Sequence, residues 1–338
     1  MKTLYLTLIF SLFFFIGISQ ENKKVVELVN QGVKLHDKGS YAEAIALYKQ
    51  ALQIDENSPL ANYEISYSYF LLPDYDKAIS YAEKVLSINK ENMAEAYLTI
   101  GNSLDMQNKP KEAIDVYQTA LSKYQNYLLY YNYALVCYKQ NQIDKAENLV
   151  IMALNKNFYH ASSQSLLSSI MYKKGSRIKA ILPLYYFFLL ETKTKRASDN
   201  YAKLKEYLGQ GLNKDDKNNI QITVPNSSTA SDSFSAAEMA ISLANASNII
   251  EKQKGKSDLE LFVHTNETIF NTLGELKKDQ TGFWWDNYVS FFYELSQKGF
   301  VEPFSYYIAG NDENDNAMAW FDDHKKEFED FANWLKQK

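Results

Sequence analysis

Apolar positions follow three regimes along the chain. From Leu4 to Ile18 they are almost continuous. From about residue 25 to 210 they recur at three- and four-residue intervals, the period of helices with one buried face. Between 211 and 232 they thin out into Asn213-Lys-Asp-Asp-Lys-Asn-Asn and Asn226-Ser-Ser-Thr-Ala-Ser-Asp-Ser, a polar linker in which Ile220-Gln-Ile-Thr-Val reads as a short extended piece. Helical periodicity returns from 233 to 338. Ser235-x-x-Glu238 and Ser257-x-x-Glu260 each stand before an apolar run, as capping boxes do. A third helix is predicted from Phe283 to Gln297, closed by Gly299, and a last one from Asn316 to Leu335.

The first regime reads as a leader, residues 1–19. Lys2 supplies a positive start, the apolar run is shorter than the roughly 20 residues a spanning helix needs, and small Gly17 and Ser19 precede a cut before Gln20. No other long apolar span follows, so the mature chain is expected to lack a transmembrane segment and to be exported, periplasmic or secreted. The single cysteine, Cys137, excludes an intrachain disulfide and a thiolate zinc cluster.

The second regime is internally repetitive. A buried-type Ala recurs at Ala44, Ala78, Ala113, Ala146 and Ala180, at spacings of 34, 35, 33 and 34. Seven residues after each comes Ala51, Val85, Ala120, Ala153 or Phe187. Twelve residues before each stands Gly32, Ser66, Gly101, Ala134 or Ser168. Two helices cross closely only where small side chains meet, and these positions provide that gap. Tyr41, Tyr48, Tyr75 and Tyr117 are expected to fill the space around it. Pro73 and Pro110 fall at inter-helix turns, where a missing N–H is expected to be harmless.

With Gly39-Ser-Tyr-Ala-Glu-Ala-Ile-Ala-Leu-Tyr-Lys-Gln-Ala-Leu and Asp74-Tyr-Asp-Lys-Ala-Ile-Ser-Tyr-Ala-Glu, the chain over 25–191 resembles the tetratricopeptide repeat (TPR) family. The resemblance implies an all-α solenoid of five helix-turn-helix units. A capping helix with the stripe Ala197, Tyr201, Leu204 and Leu208 completes a first domain at 25–210; 211–232 is the linker and 233–338 a small helical C-terminal domain. Leu184-Tyr-Tyr-Phe-Phe-Leu-Leu190 is apolar on every side, so the C-terminal half is expected to help cover it.

By the same resemblance, first helices line a concave groove that binds a peptide or protein segment. Carried onto this chain, the positions are Tyr63, Tyr67 and Phe70; Leu98, Asn102 and Asp105; Tyr131, Leu135 and Tyr138; Ser165, Ser169 and Tyr172. Family members that clamp a chaperone's terminal carboxylate need Lys and Asn in the first units, where this chain has Val29, Val33 and Glu64.

Charge and chemistry narrow the rest. The net charge of −5 lacks the cationic footprint of a nucleic-acid binder, so none is expected as a partner. The charge is uneven, +3 over 20–217 and −9 over 218–338. His36, His160, His264 and His324 include no pair at helical spacing, and no phosphate loop or nucleophile motif is present, so no cofactor, metal or catalytic residue is expected. Asp312, Asn314, Asn316 and Asp323 resemble an EF-hand loop but lack its turn glycine and bidentate Glu. Eleven aromatics between 283 and 307, including Trp284 and Trp285, are core at helical spacing or, alternatively, a platform for a glycan or small ligand. Asp286, Glu294 and Glu302 beside them keep an enzyme of unfamiliar type open, without a distinguished pair. The leading expectation is a non-enzymatic TPR scaffold of an envelope assembly.

Overall fold

The computed structural model describes residues 23–88, 93–210, 212–214, 220–222, 233–312 and 315–338. The expected leader and its cleavage site lie outside them, as does most of the expected linker. The regular structure of the described chain is helical except for β1 (Leu212–Lys214) and β2 (Ile220–Ile222), an antiparallel pair with Asn213 opposite Gln221. The second strand is the piece its Ile-Gln-Ile alternation predicts.

Two compact units divide the chain between Gln142 and Ile143. The first holds α1 (23–36), α2 (Tyr41–Ile54), α3 (Pro59–Leu71), α4 (Tyr75–Ile88), α5 (Met93–Met106), α6 (Pro110–Leu121) and α7 (Tyr127–Lys139). The second begins with α8 (Ile143–Lys156), α9 (Ala161–Lys173), α10 (Arg177–Leu190) and α11 (Lys195–Gly209). It continues with α12 (Ser235–Gln253), α13 (Asp258–Lys277), α14 (Ser290–Gln297), α15 (Val301–Ala309), α16 (Asp315–Asp323) and α17 (Lys325–Leu335).

The repeat positions behave as close crossings require. Ala44, Ala78, Ala113, Ala146 and Ala180 are all fully buried, as are Ala51, Val85, Ala120, Ala153 and Phe187. Tyr48 and Tyr117 are fully buried too. Tyr41 and Tyr75 are only half-buried, because their rings face other aromatics at the edge of the unit rather than a crossing.

First helices end alike. Gly39, Asn108, Asn141 and Gly175 all adopt left-handed φ, between 58° and 80°. Each donates its N–H to the carbonyl three residues back, and the next residue donates to the carbonyl five back, as Gly175 to Tyr172 and Ser176 to Met171. Pro73 holds the equivalent place in the second repeat. Only the outer bond survives there, Asp74 N to Tyr69 O at 3.0 Å. Its missing N–H is therefore a lost cap bond, not the harmless feature the turn position suggests. Pro110, at the first turn of α6, costs nothing of this kind.

In the second unit α10 runs unbroken through Pro183 and is buried on all sides. Helices from the C-terminal half cover it: Tyr185 meets Phe270 of α13 at 5.4 Å, Phe292 of α14 at 5.7 Å and Phe304 of α15 at 5.7 Å. The Tyr185 hydroxyl donates to Asn266, whose amide donates to Ser305 at 2.8 Å. α11 buries its stripe of Ala197, Tyr201, Leu204 and Leu208. It also stands as a sixth first helix would: Ser165 bonds Asn200, Arg196 bonds Ser162 and Tyr172 bonds Glu206, each pair 34 or 35 residues apart.

Three local expectations change. Ser257 and Glu260 form a reciprocal capping box, but Ser235 and Glu238 do not. Glu238 turns inward to meet Arg177, and a buried ion pair outweighs a surface cap. The aromatic stretch Trp284–Val289 winds as a π-helical turn before α14. The predicted last helix is two, broken at His324, whose φ of −121° and ψ of 39° lie outside the helical region.

Candidate functional site

The first-helix positions Tyr63, Tyr67 and Phe70 are spaced i, i+4, i+7 on α3, so they share one face. Their rings run parallel. Tyr63 and Tyr67 have centroids 6.3 Å apart with planes 1° apart; Tyr67 and Phe70 are 6.5 Å and 10° apart. The row extends sideways: His36 of α1 stacks on Tyr67 at 5.1 Å, Tyr41 meets His36 edge-on at 5.0 Å, and Tyr75 meets Phe70 at 5.9 Å. His36 is fixed by its Nδ1 contact of 2.9 Å with Ser68 Oγ. Tyr67 remains 38% exposed. The role of His36 was not legible from its isolation in sequence. Its signal is the 31-residue offset to Tyr67 between successive first helices.

Carboxylates edge this row. Glu64 is half-buried beside the Tyr48 hydroxyl; its burial, then the Asp37 charge, raises its proton affinity. Burial and the charges of Glu64 and Glu95 push the Tyr63 phenol up to about 12, so it stays a hydrogen-bond donor at neutral pH. Burial holds His36 below the ordinary imidazole value against the opposing pull of Asp37.

The remaining positions are distributed as follows. Asn102 of α5 accepts from the Tyr117 hydroxyl at 2.6 Å, and Asp105 accepts from Lys139 Nζ at 2.7 Å. Leu98 is buried. Tyr131, Leu135 and Tyr138 of α7 share a face at i, i+4, i+7 and are half-buried. Tyr172, in the second unit, lies under α11: its ring stacks on Tyr207 at 3.9 Å and its hydroxyl donates to Glu206 at 2.7 Å.

Part of the aromatic cluster of the C-terminal half is core, with Trp285, Tyr288, Phe292 and Phe304 buried. Tyr288 and Phe292 are buried, Trp285 stacks on Phe234 at 4.5 Å, and Tyr288 packs on Phe158 at 5.1 Å. Of the paired indoles Trp285 is buried and Trp284 half-buried. Glu294 is occupied by Lys338 at 2.6 Å, and Glu302 lies 3.3 Å from Trp320 Nε1. Among the described residues no three His, Cys, Asp or Glu side chains converge as metal ligands. Asn314 of the EF-hand-like loop lies outside those residues. Also among the described residues, no helix is long and apolar enough to cross a membrane.

A family model described as TPR repeat matches residues 32–73, and one described as anaphase-promoting complex, cyclosome, subunit 3 matches 73–153. The N-terminal part of this chain is a tetratricopeptide-repeat segment. The chain is 25% identical over 183 residues to TPR repeat-containing protein MJ1428 of Methanocaldococcus jannaschii, covering 50% of this chain and 32% of that one. It is 23% identical over 176 residues to human cilia- and flagella-associated protein 70, covering 52% of this chain and 16% of that one. It thus spans a third or less of the length of these relatives. Among solved structures, Pseudomonas aeruginosa PilF aligns with a TM-score of 0.49 at 17% identity, covering 56% of this chain and 91% of that one.

Proposed function

We propose that this protein is an exported, non-enzymatic scaffold that holds an extended peptide or protein segment on the first-helix face of its repeats, as part of an envelope assembly. The observation that carries the binding role is the row of parallel rings on α3, with Tyr67 exposed among them. Tyrosine suits such a role: a large apolar face, a polar tip and little rotamer entropy to lose. The periplasmic or secreted location rests on Lys2, the apolar run to Ile18, and Gly17 and Ser19 before Gln20.

Paired measurements of melting temperature and peptide capture test the binding role. Tyr67→Ala, Tyr131→Ala and Tyr138→Ala are expected to leave melting within a few degrees of wild type and to weaken capture. Tyr48→Ala, at a fully buried site, is expected to cost about 3–5 kcal/mol of stability. Equal losses of stability in all four make the face a structural core and end the proposal. N-terminal mass analysis of the protein from its native host tests export, and an intact Met1 overturns it.

A further inference from the structure

We infer that the second unit holds a binding site for a monocyclic aromatic carboxylate, in a cavity between the end of α10 and helices α15, α16 and α17. The site does not depend on the α3 face. Tyr307 of α15, Phe321 of α16 and Phe328 of α17 wall the cavity. Each ring stands just off its helix's buried stripe, beside Ile308, Trp320 and Phe331 respectively, and is half-buried. The rings meet one another: Tyr307 and Phe328 have centroids 6.0 Å apart, and Phe321 meets Phe328 edge-on at 4.8 Å. Walls of this kind take a flat ring by offset or edge-to-face contact.

Volume sets the size of the ligand. The cavity measures about 240 Å³. A cavity of about 150 Å³ accepts benzene, and a water-sized increment is about 30 Å³, so a ring leaves room for about three further atoms, a carboxylate's number. Gly310 keeps part of this space. It lines the cavity, its φ of −61° and ψ of −7° suit any residue, and a Cβ on it would meet no atom within 4 Å. Neither backbone strain nor a close crossing calls for glycine there. What its missing side chain leaves is room in the cavity.

Charge sets its sign. Among the described residues the lining carries one charged side chain, Lys193, and no carboxylate. Also among the described residues, the Lys193 ammonium forms no ion pair. Its backbone is fixed: φ is 58°, in the left-handed region, and its N–H donates to Asn311 Oδ1 at 2.9 Å. Asn311 is buried, and its amide donates in turn to the Ile308 carbonyl at 2.8 Å. The loop between α10 and α11 is thus pinned to the turn Gly310–Asp312 at the cavity. A non-glycine residue holds a left-handed φ where its surroundings fix it, and such places cluster at ligand sites. An anionic group on the ring supplies the counterion that Lys193 lacks, while a cationic ligand meets repulsion. The Tyr307 hydroxyl, which bonds no protein group among the described residues, offers a further donor.

The test uses the purified chain at neutral pH with benzoate as the probe, read by saturation-transfer NMR. The expected result is saturable binding with a Kd of about 1 mM or tighter. Benzamide lacks the charge and cyclohexanecarboxylate lacks the flat ring; each is expected to bind about tenfold more weakly. Gly310→Leu places a side chain in the space and is expected to abolish binding. Lys193→Gln is expected to weaken benzoate about tenfold and to leave benzamide unchanged, a split that a merely structural lysine would not produce. N-acetylphenylalanine, too long for the cavity, is expected to bind more weakly than benzoate; tighter binding makes the occupant a peptide end and overturns the assignment. Benzamide bound as tightly as benzoate overturns it too, as does benzoate binding that survives Gly310→Leu, or no saturable binding by any probe. If Gly310→Leu fails to fold, nuclear Overhauser contacts between benzoate protons and the rings of Phe321 and Phe328 decide: their presence supports the site and their absence ends it.

Discussion

A Cβ placed on Gly101 of α5 would stand 2.5 Å from both Cε1 and Cζ of Tyr117 on α6. Gly32 stands in the same relation to Tyr48, at 2.3 Å from Cε1. The glycine and the tyrosine are 16 residues apart in both cases. In the second repeat the same interval joins Ser66 to Ala82, both fully buried. Size is thus traded across the crossing: a tyrosine on the second helix demands a glycine on the first, and an alanine there admits serine.

Gly101→Ala tests that trade. In an exposed helix the change would stabilise by about 1 kcal/mol. Here the Tyr117 ring cannot retreat, because its hydroxyl is held by Asn102 at 2.6 Å. The substitution is expected to destabilise by about 1–3 kcal/mol in urea unfolding. Gly101→Ser combined with Tyr117→Ala, copying Ser66 and Ala82, is expected to cost less than the sum of the two single changes. Additive costs would show that the two residues do not share one space.

Pro73 gives a stabilising prediction. The equivalent residues are Asn108 and Asn141, whose N–H groups donate to Asp105 and Tyr138. Pro73→Asn restores that donor toward the Phe70 carbonyl. An increase of about 1 kcal/mol in unfolding free energy is expected. A fall in stability would mean that the ring's packing outweighs the bond.

What the sequence made legible follows from periodicity. Five buried alanines at near-constant spacing locate five crossings, and the all-round apolar run ending at Leu190 foretells a cover on α10. The Ser257 box was readable because both partners are local. Glu238 was not: its partner Arg177 lies 61 residues away, and nothing local distinguishes it from a surface cap. The break at His324 and the π turn at Trp284 escaped for a related reason, since tertiary packing sets them and the helical apolar period continues through both. Within the candidate face, the α3 spacing announced shared orientation, but stacking with His36 required a second helix to bring it there.

Stability is expected to fall in mild acid. Burial holds His36 below the ordinary value of 6.5, and burial with the Arg196 charge does the same for His160. In the window from 6.5 down to the folded values, the unfolded chain binds more protons than the native one. Stability is therefore full above about pH 6.5 and is lost as pH falls below it. Glu64 acts oppositely, since its raised folded value favours the native state at low pH, and that contribution is lost as pH rises above 4.5. In a Glu64→Gln background the decline is expected to steepen where Glu64 titrates, above pH 4.5, and adding His36→Phe and His160→Asn should flatten it. Urea unfolding at a series of pH values reads the slope directly; an unchanged slope in the histidine variants places the titration elsewhere.

The Arg177 pair is the most exacting test of how the second unit is held together. Arg177 opens α10 and is fully buried, as Glu238 of α12 nearly is. Its Nε donates to Glu238 Oε2 at 3.0 Å, Nη1 to the Gln210 carbonyl at 2.7 Å, and Nη2 to the Glu238 carbonyl at 2.6 Å and Ser242 Oγ at 2.8 Å. The second Glu238 oxygen accepts from Ile178 N at 2.7 Å. Four of the five guanidinium N–H groups and both carboxylate oxygens are thus answered, which is close to the condition for a buried ion pair to be tolerated. Arg177→Met strands the carboxylate and is expected to cost about 3–5 kcal/mol. Glu238→Leu strands the guanidinium and should cost as much. The double variant Arg177→Met/Glu238→Leu removes both charges, so it is expected to be no worse than either single change, with a residual loss of about 1–3 kcal/mol from the orphaned Ile178 N–H. Chemical unfolding at neutral pH, followed by circular dichroism, completes the cycle. If Arg177→Met unfolds within about 1 kcal/mol of wild type, water reaches Glu238 and the α10–α12 contact is open in solution. If the double variant instead loses the sum of both singles, the two residues act separately, and α12 is held by its apolar face alone.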